Sequence, residues 1–131
     1  MNKYQKIVKK FEKDRNWGQF HNPKDLLLGI VEEVGELRNI VKWEQDPEVL
    51  KKTLIKNKDE VADGIGDIFF LLAHLANSSG VDIDKAVATT IKDLRKRFPV
   101  KDFKDNHGNR YIEGKDKKDG VKKSRNFKKR S

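Results

Sequence analysis

The sequence contains no cysteine. This absence excludes a disulfide framework, thiolate metal ligands and thiol catalysis, and it fits a reducing compartment. Residues 1–11 alternate lysine with apolar residues and hold no apolar stretch of signal-peptide length, and no later segment is apolar for long enough to span a membrane. We therefore expect a cytoplasmic protein that has no membrane partner.

Strand patterns are also missing, because no segment alternates apolar and polar residues as a half-buried strand does. Apolar periodicity and stop signals predict four helical segments instead. Their approximate bounds are residues 3–15, 23–43, 47–78 with a break near Asn57, and 83–98. In the first segment, Ile7, Val8 and Phe11 form the apolar stripe.

Cap residues support these segments. Asn22 and Asp46 each precede a proline, and both are residue types that commonly cap the N-terminus of a helix. Asp82 is a candidate for a third N-cap, and Gly80 is a residue type that commonly ends a helix. The pattern predicts an all-α fold, an antiparallel four-helix bundle.

Positive charge is concentrated at one end of the chain. Residues 100–131 contain 12 lysines and arginines against 5 acidic residues, although the whole chain has a net charge of only +9. The same stretch has too few apolar residues to bury a core of its own. We predict one helical domain over residues 1–114 and a basic, disordered tail over residues 115–131.

Two predicted helices carry pairs of acidic residues at helical spacing. Glu33 and Glu36 lie three residues apart on the second helix, and Glu60 and Asp63 have the same spacing on the third. Residues three or four apart share one face of a helix, so each helix can offer two carboxylates to one point. Glu32 and Asp67 add further acids beside these pairs.

The acids lack the basic neighbours of an ordinary solvated helix face. No lysine or arginine stands four residues after any of the six acids, and two of those positions, Glu36 and Asp67, are themselves acidic. Asp63 and Asp67 also lie in a largely apolar stretch, where an unpaired buried carboxylate costs several kcal/mol. A hard divalent cation such as Mg²⁺ would neutralise them. Surface charge and a polar interior network remain the alternatives, whereas a di-iron site is disfavoured because no histidine follows a glutamate by three residues.

At these residues the sequence resembles the MazG-like family of all-α nucleotide pyrophosphohydrolases, most nearly its dCTP pyrophosphatases. The family pattern E-E-x-x-E, then E-x-x-D, reads E-E-V-G-E at residues 32–36 and E-V-A-D at residues 60–63. Residues 15–28, R-N-W-G-Q-F-H-N-P-K-D-L-L-L, look like the segment that precedes the first motif. The resemblance covers roughly residues 11–111.

This resemblance implies a magnesium-dependent hydrolase that converts a nucleoside triphosphate to the monophosphate and pyrophosphate. It implies that Glu33, Glu36, Glu60 and Asp63 bind Mg²⁺, and that Glu32 positions or deprotonates the attacking water. The nucleobase would contact Trp17, His21 and Trp43, for which a core or loop-capping role is the alternative.

A homo-oligomer is expected for two reasons. Four helices of this length would leave apolar residues such as those at positions 68–72 poorly covered in a monomer. The resemblance adds that family members assemble as dimers or tetramers.

The sequence departs from the family pattern at two positions. Asp67 stands where dCTP enzymes often have tyrosine, and Leu94 stands where the last helix often has asparagine. The preferred base and sugar are therefore open, as is the effect of Asp67 on metal binding or specificity. Lys92, Arg95 and Arg97 are candidate phosphate ligands, with an ordinary basic helix end as the alternative.

A non-catalytic function is the competing hypothesis. The sequence K-K-S-R-N-F-K-K-R near the end of the chain would attract nucleic-acid phosphates, so the alternative is a helical module that binds RNA or DNA. The tail has no motif that reads bases, and charge runs of this kind more often serve solubility. We therefore favour the enzyme and regard a nucleic-acid partner as the weaker hypothesis.

Overall fold

The structure, a computed structural model, describes residues 1–105. This part of the chain contains helices and no strand, which confirms the all-α prediction. The helices are α1 (Lys3–Arg15), a short 3₁₀ helix (Trp17–Gln19), α2 (Pro23–Asn39), α3 (Pro47–Lys56), α4 (Lys58–Ser79), α5 (Ile83–Arg97) and α6 (Val100–Phe103). The predicted boundary between residues 114 and 115, and the predicted tail, lie outside the described residues.

Local sequence signals determine where most helices begin and end. The Asn22 side chain accepts a hydrogen bond from Asp25 N at 2.9 Å, and Asp46 Oδ1 accepts from Glu48 N at 2.9 Å, so both predicted N-caps are confirmed. Gly80, at φ 68°, ends α4 in the left-handed conformation that glycine adopts without strain. Asn57 separates α3 from α4, as predicted.

The predicted end of α2 was wrong by four residues, because the helix ends at Asn39 and not near Trp43. Beyond this point the hydrogen bonds change to a tighter pattern. Ile40 N donates to Leu37 O at 3.2 Å and Val41 N donates to Arg38 O at 3.1 Å, each reaching three residues back instead of four. Ile40 and Val41 thus continue the apolar pattern of α2 in sequence, although they lie in turns that follow the helix.

The first of two compact units comprises Met1–Asp84. Within it, α4 packs against α1 and most extensively against α2, while α3 makes a smaller contact with α4. The buried apolar side chains come from these helices: Val8, Leu26, Ala73 and Ala76. On α1 the buried face is formed by Gln5, Val8 and Glu12, so that Ile7, predicted on the apolar stripe, is 52% exposed.

A fully buried glutamine joins α1 to the chain that follows α4. Gln5 Nε2 donates to Val81 O at 2.9 Å and to Asn77 Oδ1 at 3.2 Å, and Gln5 Oε1 accepts from Ile83 N at 2.8 Å. Asn77 Nδ2 in turn donates to Gln5 O at 3.0 Å. Every polar atom of the Gln5 side chain is thus hydrogen-bonded, as burial requires.

The second unit comprises Lys85–Ser131, of which residues 85–105 are described. It holds most of α5 and the short helix α6, which follows Pro99 and was not predicted from the sequence. The rings of Phe98 and Phe103 meet edge to face at 5.0 Å between centroids. No helix in the described part of the chain is long and apolar enough to cross a membrane.

Candidate functional site

Five carboxylates line one recess between α2 and α4, which we call the acidic recess. Its volume is about 160 Å³. The lining residues are Glu33, Glu36, Leu37, Ile40, Glu60, Asp63, Gly64 and Asp67. The spacing of three and four residues places the acids of each helix on the face that meets the other helix. The four acids predicted as metal ligands therefore meet at one place, and Asp67 joins them.

The carboxylates of the acidic recess repel one another. Glu33 is half-buried and has a raised pKa, first because its carboxylate is partly desolvated and then because Glu36, Asp67, Asp63 and Glu32 add negative charge around it. Both causes disfavour the ionised form of Glu33. A cation bound in the recess would offset the negative charge of the neighbouring acids and so favour the ionised form.

The acids are more exposed than the sequence suggested. Their apolar neighbours along α4 predicted buried carboxylates, but Glu36, Glu60, Asp63 and Asp67 are exposed in the described chain. The reason is that these acids line a recess that opens to solvent, so apolar neighbours in the sequence do not bury them. Mutual repulsion at an open recess therefore favours a cation beside the exposed acids, whereas desolvation is the larger effect at Glu33.

Glu32 lies beside the acidic recess but does not line it. Its side chain is exposed on α2, next in sequence to Glu33. Its negative charge reaches the recess, since it contributes to the raised pKa of Glu33. This position suits a group that acts on a water molecule at the edge of a metal site more than a direct ligand.

The three residues predicted to contact a base have different surroundings. Trp43 lies in the turns after α2 with 86% of its surface exposed, so it has no core role in the described chain. Trp17 is 38% exposed and its ring meets Phe11 edge to face at 5.4 Å and His21 at 5.9 Å. His21 is partly exposed, and its Nδ1 lies 3.8 Å from Glu12 Oε1.

The predicted phosphate ligands all lie on α5. Lys92 and Arg95 line a shallow cavity on this helix together with Ala88, Ile91 and Lys96. The guanidinium of Arg97 instead lies over the ring of Phe98, 5.3 Å from its centroid. A cation over an aromatic face is a stabilising contact, so Arg97 has a structural role at the end of α5.

A second cluster of metal-ligand residue types was not predicted from the sequence. Glu12 on α1, His21 before α2 and His74 on α4 place one ligand atom each within 4.8 Å of the others. Glu12 Oε1 contacts His74 Nδ1, and both side chains are buried. One signal was present in the sequence, since His74 is the single imidazole in the apolar part of α4.

The donor chemistry separates the two groups. The acidic recess offers only carboxylate oxygens, the ligands that Mg²⁺ prefers, and several of them are open to solvent so that waters and phosphate oxygens can complete the coordination. The Glu12 cluster offers imidazole nitrogens, which suit transition metals. The acidic recess is therefore the place where this chain fits Mg²⁺.

Comparison with known proteins places these features in context. Residues 30–113 match the model of the MazG-like family. The chain is 35% identical over 91 residues to dCTP pyrophosphatase 1 of Rattus norvegicus and 33% identical over 91 residues to that of Homo sapiens, matches that cover 69% of this chain. The chain spans about half the length of these relatives, 54% in each case.

A solved structure has the same fold. The crystal structure of a pyrophosphatase from Archaeoglobus fulgidus aligns with a TM-score of 0.66 at 28% sequence identity. The alignment covers 72% of this chain and 87% of the archaeal chain.

Proposed function

Because this chain belongs to the MazG-like family, we propose that it is a magnesium-dependent pyrophosphohydrolase that converts a nucleoside triphosphate to the monophosphate and pyrophosphate. The observation that carries the proposal is the acidic recess, where four carboxylates at the family's motif positions line one cavity. The names of the relatives, dCTP pyrophosphatase 1, favour a deoxynucleotide of the dCTP type.

Four residues would hold Mg²⁺: Glu33, Glu36, Glu60 and Asp63. Bound there, the ion would withdraw charge from the phosphate oxygens and make a coordinated water more acidic. Asp67 also lines the recess, as either a further ligand or a determinant of substrate choice. The carboxylates of α2 and α4 would therefore hold the triphosphate through the bound cation and not directly, because both groups are negatively charged.

Glu32 is the proposed general base. A water molecule oriented by its carboxylate would attack the α-phosphorus and pass a proton to Glu32. The new bond joins the water oxygen to the α-phosphorus, and the bond between that phosphorus and the oxygen bridging to the β-phosphoryl group breaks. Pyrophosphate leaves and the monophosphate remains.

Aromatic and basic side chains would bind the rest of the substrate. Trp17 and Trp43 retain enough exposed ring surface to stack on a base, and His21 would hydrogen-bond to it. Lys92, Arg95 and Arg97 are the proposed phosphate ligands. The structural contact of Arg97 with Phe98 makes it the weakest of these three assignments.

We further propose that the enzyme works as a homodimer or homotetramer in the cytoplasm. On α2 the side chains of Leu27, Val31 and Val34 are 52%, 67% and 50% exposed, and their spacing makes them one apolar stripe. The apolar stretch at residues 68–72 is mostly half-buried, with Leu72 alone exposed. An uncovered stripe on α2 favours association with a second copy. Cytoplasmic location rests on the absence of cysteine.

The decisive experiment identifies the products. The full chain is incubated with Mg²⁺ and each of the common nucleoside and deoxynucleoside triphosphates, and the products are separated by anion exchange. We expect the monophosphate and pyrophosphate in equal amounts, with one pyrimidine deoxynucleotide preferred. Release of orthophosphate with the diphosphate would contradict attack at the α-phosphorus.

A matched pair of variants connects the activity with the acidic recess. Asp63→Ala removes a lining carboxylate, whereas Asp59→Ala removes an exposed acid one turn earlier on the same helix that does not line the recess. The first variant should lose hydrolysis and the second should retain it. Equal activity in the two variants would remove the acidic recess from the mechanism.

A further inference from the structure

Beyond the proposed hydrolysis, the cluster of Glu12, His21 and His74 shares no residue with the lining of the acidic recess, and of its three members only His21 has a role in the proposed function. His74 is far in sequence from Glu12 and His21, and one ligand atom from each of the three residues lies within 4.8 Å of the other two. Packing of α1 against α4 brings Glu12 to His74, and the loop before α2 adds His21.

The ligand atoms in this cluster are buried without adequate hydrogen bonds. Glu12 and His74 are only 8% and 4% exposed. Within the described part of the chain, Glu12 Oε1, His21 Nδ1 and His74 Nδ1 make no hydrogen bond of acceptable geometry, although they lie close to one another. Buried polar atoms are nearly always satisfied, and a cation between these three atoms would satisfy all of them at once.

We propose that Glu12, His21 and His74 form a second metal site, which binds a divalent transition-metal ion of the zinc type. Two imidazole nitrogens and one carboxylate oxygen are a ligand set that zinc accepts and magnesium does not favour. Zinc ligands at about 2.0–2.1 Å in tetrahedral array lie roughly 3.3 Å apart. The 3.8 Å between His21 Nδ1 and Glu12 Oε1 is close to this value, whereas Glu12 and His74 must separate slightly.

The electrostatics of the cluster agree with a bound cation. Burial lowers the pKa of His74, and the charge of His21 lowers it further, so the His74 imidazole is neutral and able to bind a metal near neutral pH. Burial raises the pKa of Glu12, while His21 lowers it in part. An ion between the three would stabilise the Glu12 carboxylate, which is desolvated by burial.

The surroundings provide a route to the cluster and a shell around it. Glu12 and His74 line a cavity of about 320 Å³ that opens to solvent, which leaves room for a fourth ligand. Lys9 and Lys13 also line this cavity, and their charge favours hydroxide or another small anion at that position. His21 would use Nδ1 for the metal, so the base contact proposed for His21 would use Nε2.

Zinc binding by the full chain, freed of metal with a chelator, tests the proposal directly. Excess Mg²⁺ is added to saturate the acidic recess, and zinc is then titrated in competition with a chromogenic chelator. The wild type should bind one zinc ion per chain with high affinity. Loss of a residue that only supports a metal ligand typically weakens metal binding about 10- to 100-fold. His21→Asn and His74→Gln each remove a direct ligand, so each should weaken zinc binding by more than this. His107→Asn, which removes the remaining histidine of the chain, should leave affinity unchanged.

A thermal measurement makes the result independent of how well the buried variant folds. Zinc should raise the Tm of the wild type and of His107→Asn, but not that of His21→Asn, whose side chain is partly exposed and tolerant of change. No tight zinc in the wild type, or equal zinc affinity in the wild type and His21→Asn, would overturn the proposal. Neither measurement involves hydrolysis, so the outcome is separate from that of the proposed enzyme function.

Discussion

Gly64 of α4 lies directly against the side chain of Leu37 on α2. A β-carbon built at position 64 would stand 2.7 Å from both Cγ and Cδ2 of Leu37, a separation that packed carbon atoms do not adopt. Both residues line the acidic recess. The absence of a side chain at position 64 therefore allows α2 and α4 to approach where their carboxylates meet.

Gly64→Ala should destabilise the protein and reduce hydrolysis. The methyl group must push Leu37 aside, and overpacking of this kind costs about 1–3 kcal/mol, more than the roughly 0.5–1 kcal/mol that alanine gains over glycine in a helix. Gly66→Ala is the matched control, because nothing lies within 4 Å of a β-carbon there. Chemical denaturation should show Gly66→Ala at least as stable as the wild type. A Gly64→Ala protein of unchanged stability would show that Leu37 simply rotates away.

Spacing in the sequence was sufficient to predict much of this site. The interval of three residues between Glu33 and Glu36, and between Glu60 and Asp63, placed each pair on one helix face, and the caps at Asn22 and Asp46 located the helices. Each of these signals is local, involving residues within one turn of a helix. Local signals are what one sequence can report.

Contacts between distant segments could not be predicted in this way. Glu12 and His74 meet because α1 packs on α4, and the rotation of each helix about its axis decides which residues face each other. The periodicity of α1 suggested Ile7 as a core residue, whereas the buried face carries Gln5 and Glu12. A rule that assigns the core from apolar residues alone cannot predict buried polar residues such as these.

Gln5→Leu should destabilise the fold strongly, although it exchanges one buried side chain for another of similar size. The change leaves Val81 O, Ile83 N and Asn77 Oδ1 without the partner that Gln5 provides. Leaving a buried polar group unpaired costs about 1–3 kcal/mol, and three groups lose their partner, so we expect the free energy of unfolding to fall by at least about 3 kcal/mol. Gln19→Leu, at an exposed position with one local hydrogen bond, should change stability little in the same urea titration.

Glu60→Ala should abolish hydrolysis without unfolding the protein. The residue is exposed, so its removal takes away a carboxylate of the acidic recess and no packed core. In wild type, Mg²⁺ should raise the Tm because it binds the folded state, and this rise should be much smaller in Glu60→Ala. A variant that loses activity but keeps the full Mg²⁺-dependent rise would place Glu60 outside the metal site.

Asp67→Asn separates the two roles open to Asp67. If the carboxylate is a metal ligand, the variant should need at least about tenfold more Mg²⁺ for half-maximal hydrolysis, with the order of preferred substrates unchanged. If it determines specificity, the Mg²⁺ requirement should stay the same and the ratios of kcat/KM among the nucleotides should change. Titration of Mg²⁺ against two triphosphates with different bases distinguishes these results.

Glu33 should make the metal-free protein less stable as the pH rises. Its pKa in the folded chain is raised above the ordinary 4.5, so folding favours the protonated form. The stabilising contribution is therefore complete below about pH 4.5 and is lost as the pH rises through the raised pKa. The Glu33→Gln variant cannot ionise at this position. Near neutral pH, with a chelator present to remove metal, its Tm should therefore exceed that of the wild type. Under acidic conditions the two Tm values should converge.

Bound Mg²⁺ should invert the order of the two proteins at neutral pH. The ion stabilises the ionised Glu33 that repulsion from Glu36, Asp63 and Asp67 had destabilised, whereas the amide of the Glu33→Gln variant is a weaker, neutral ligand. Glu48→Gln controls for loss of any carboxylate, because Glu48 lies in the first turn of α3, where negative charge favours the helix, and its removal should not raise the Tm. Melting curves from about pH 4 to about pH 8, with chelator and with Mg²⁺, check both directions. A Glu33→Gln protein less stable than wild type in chelator at neutral pH would mean that Glu33 forms a favourable contact in the folded chain, and the repulsive account of the acidic recess would be wrong.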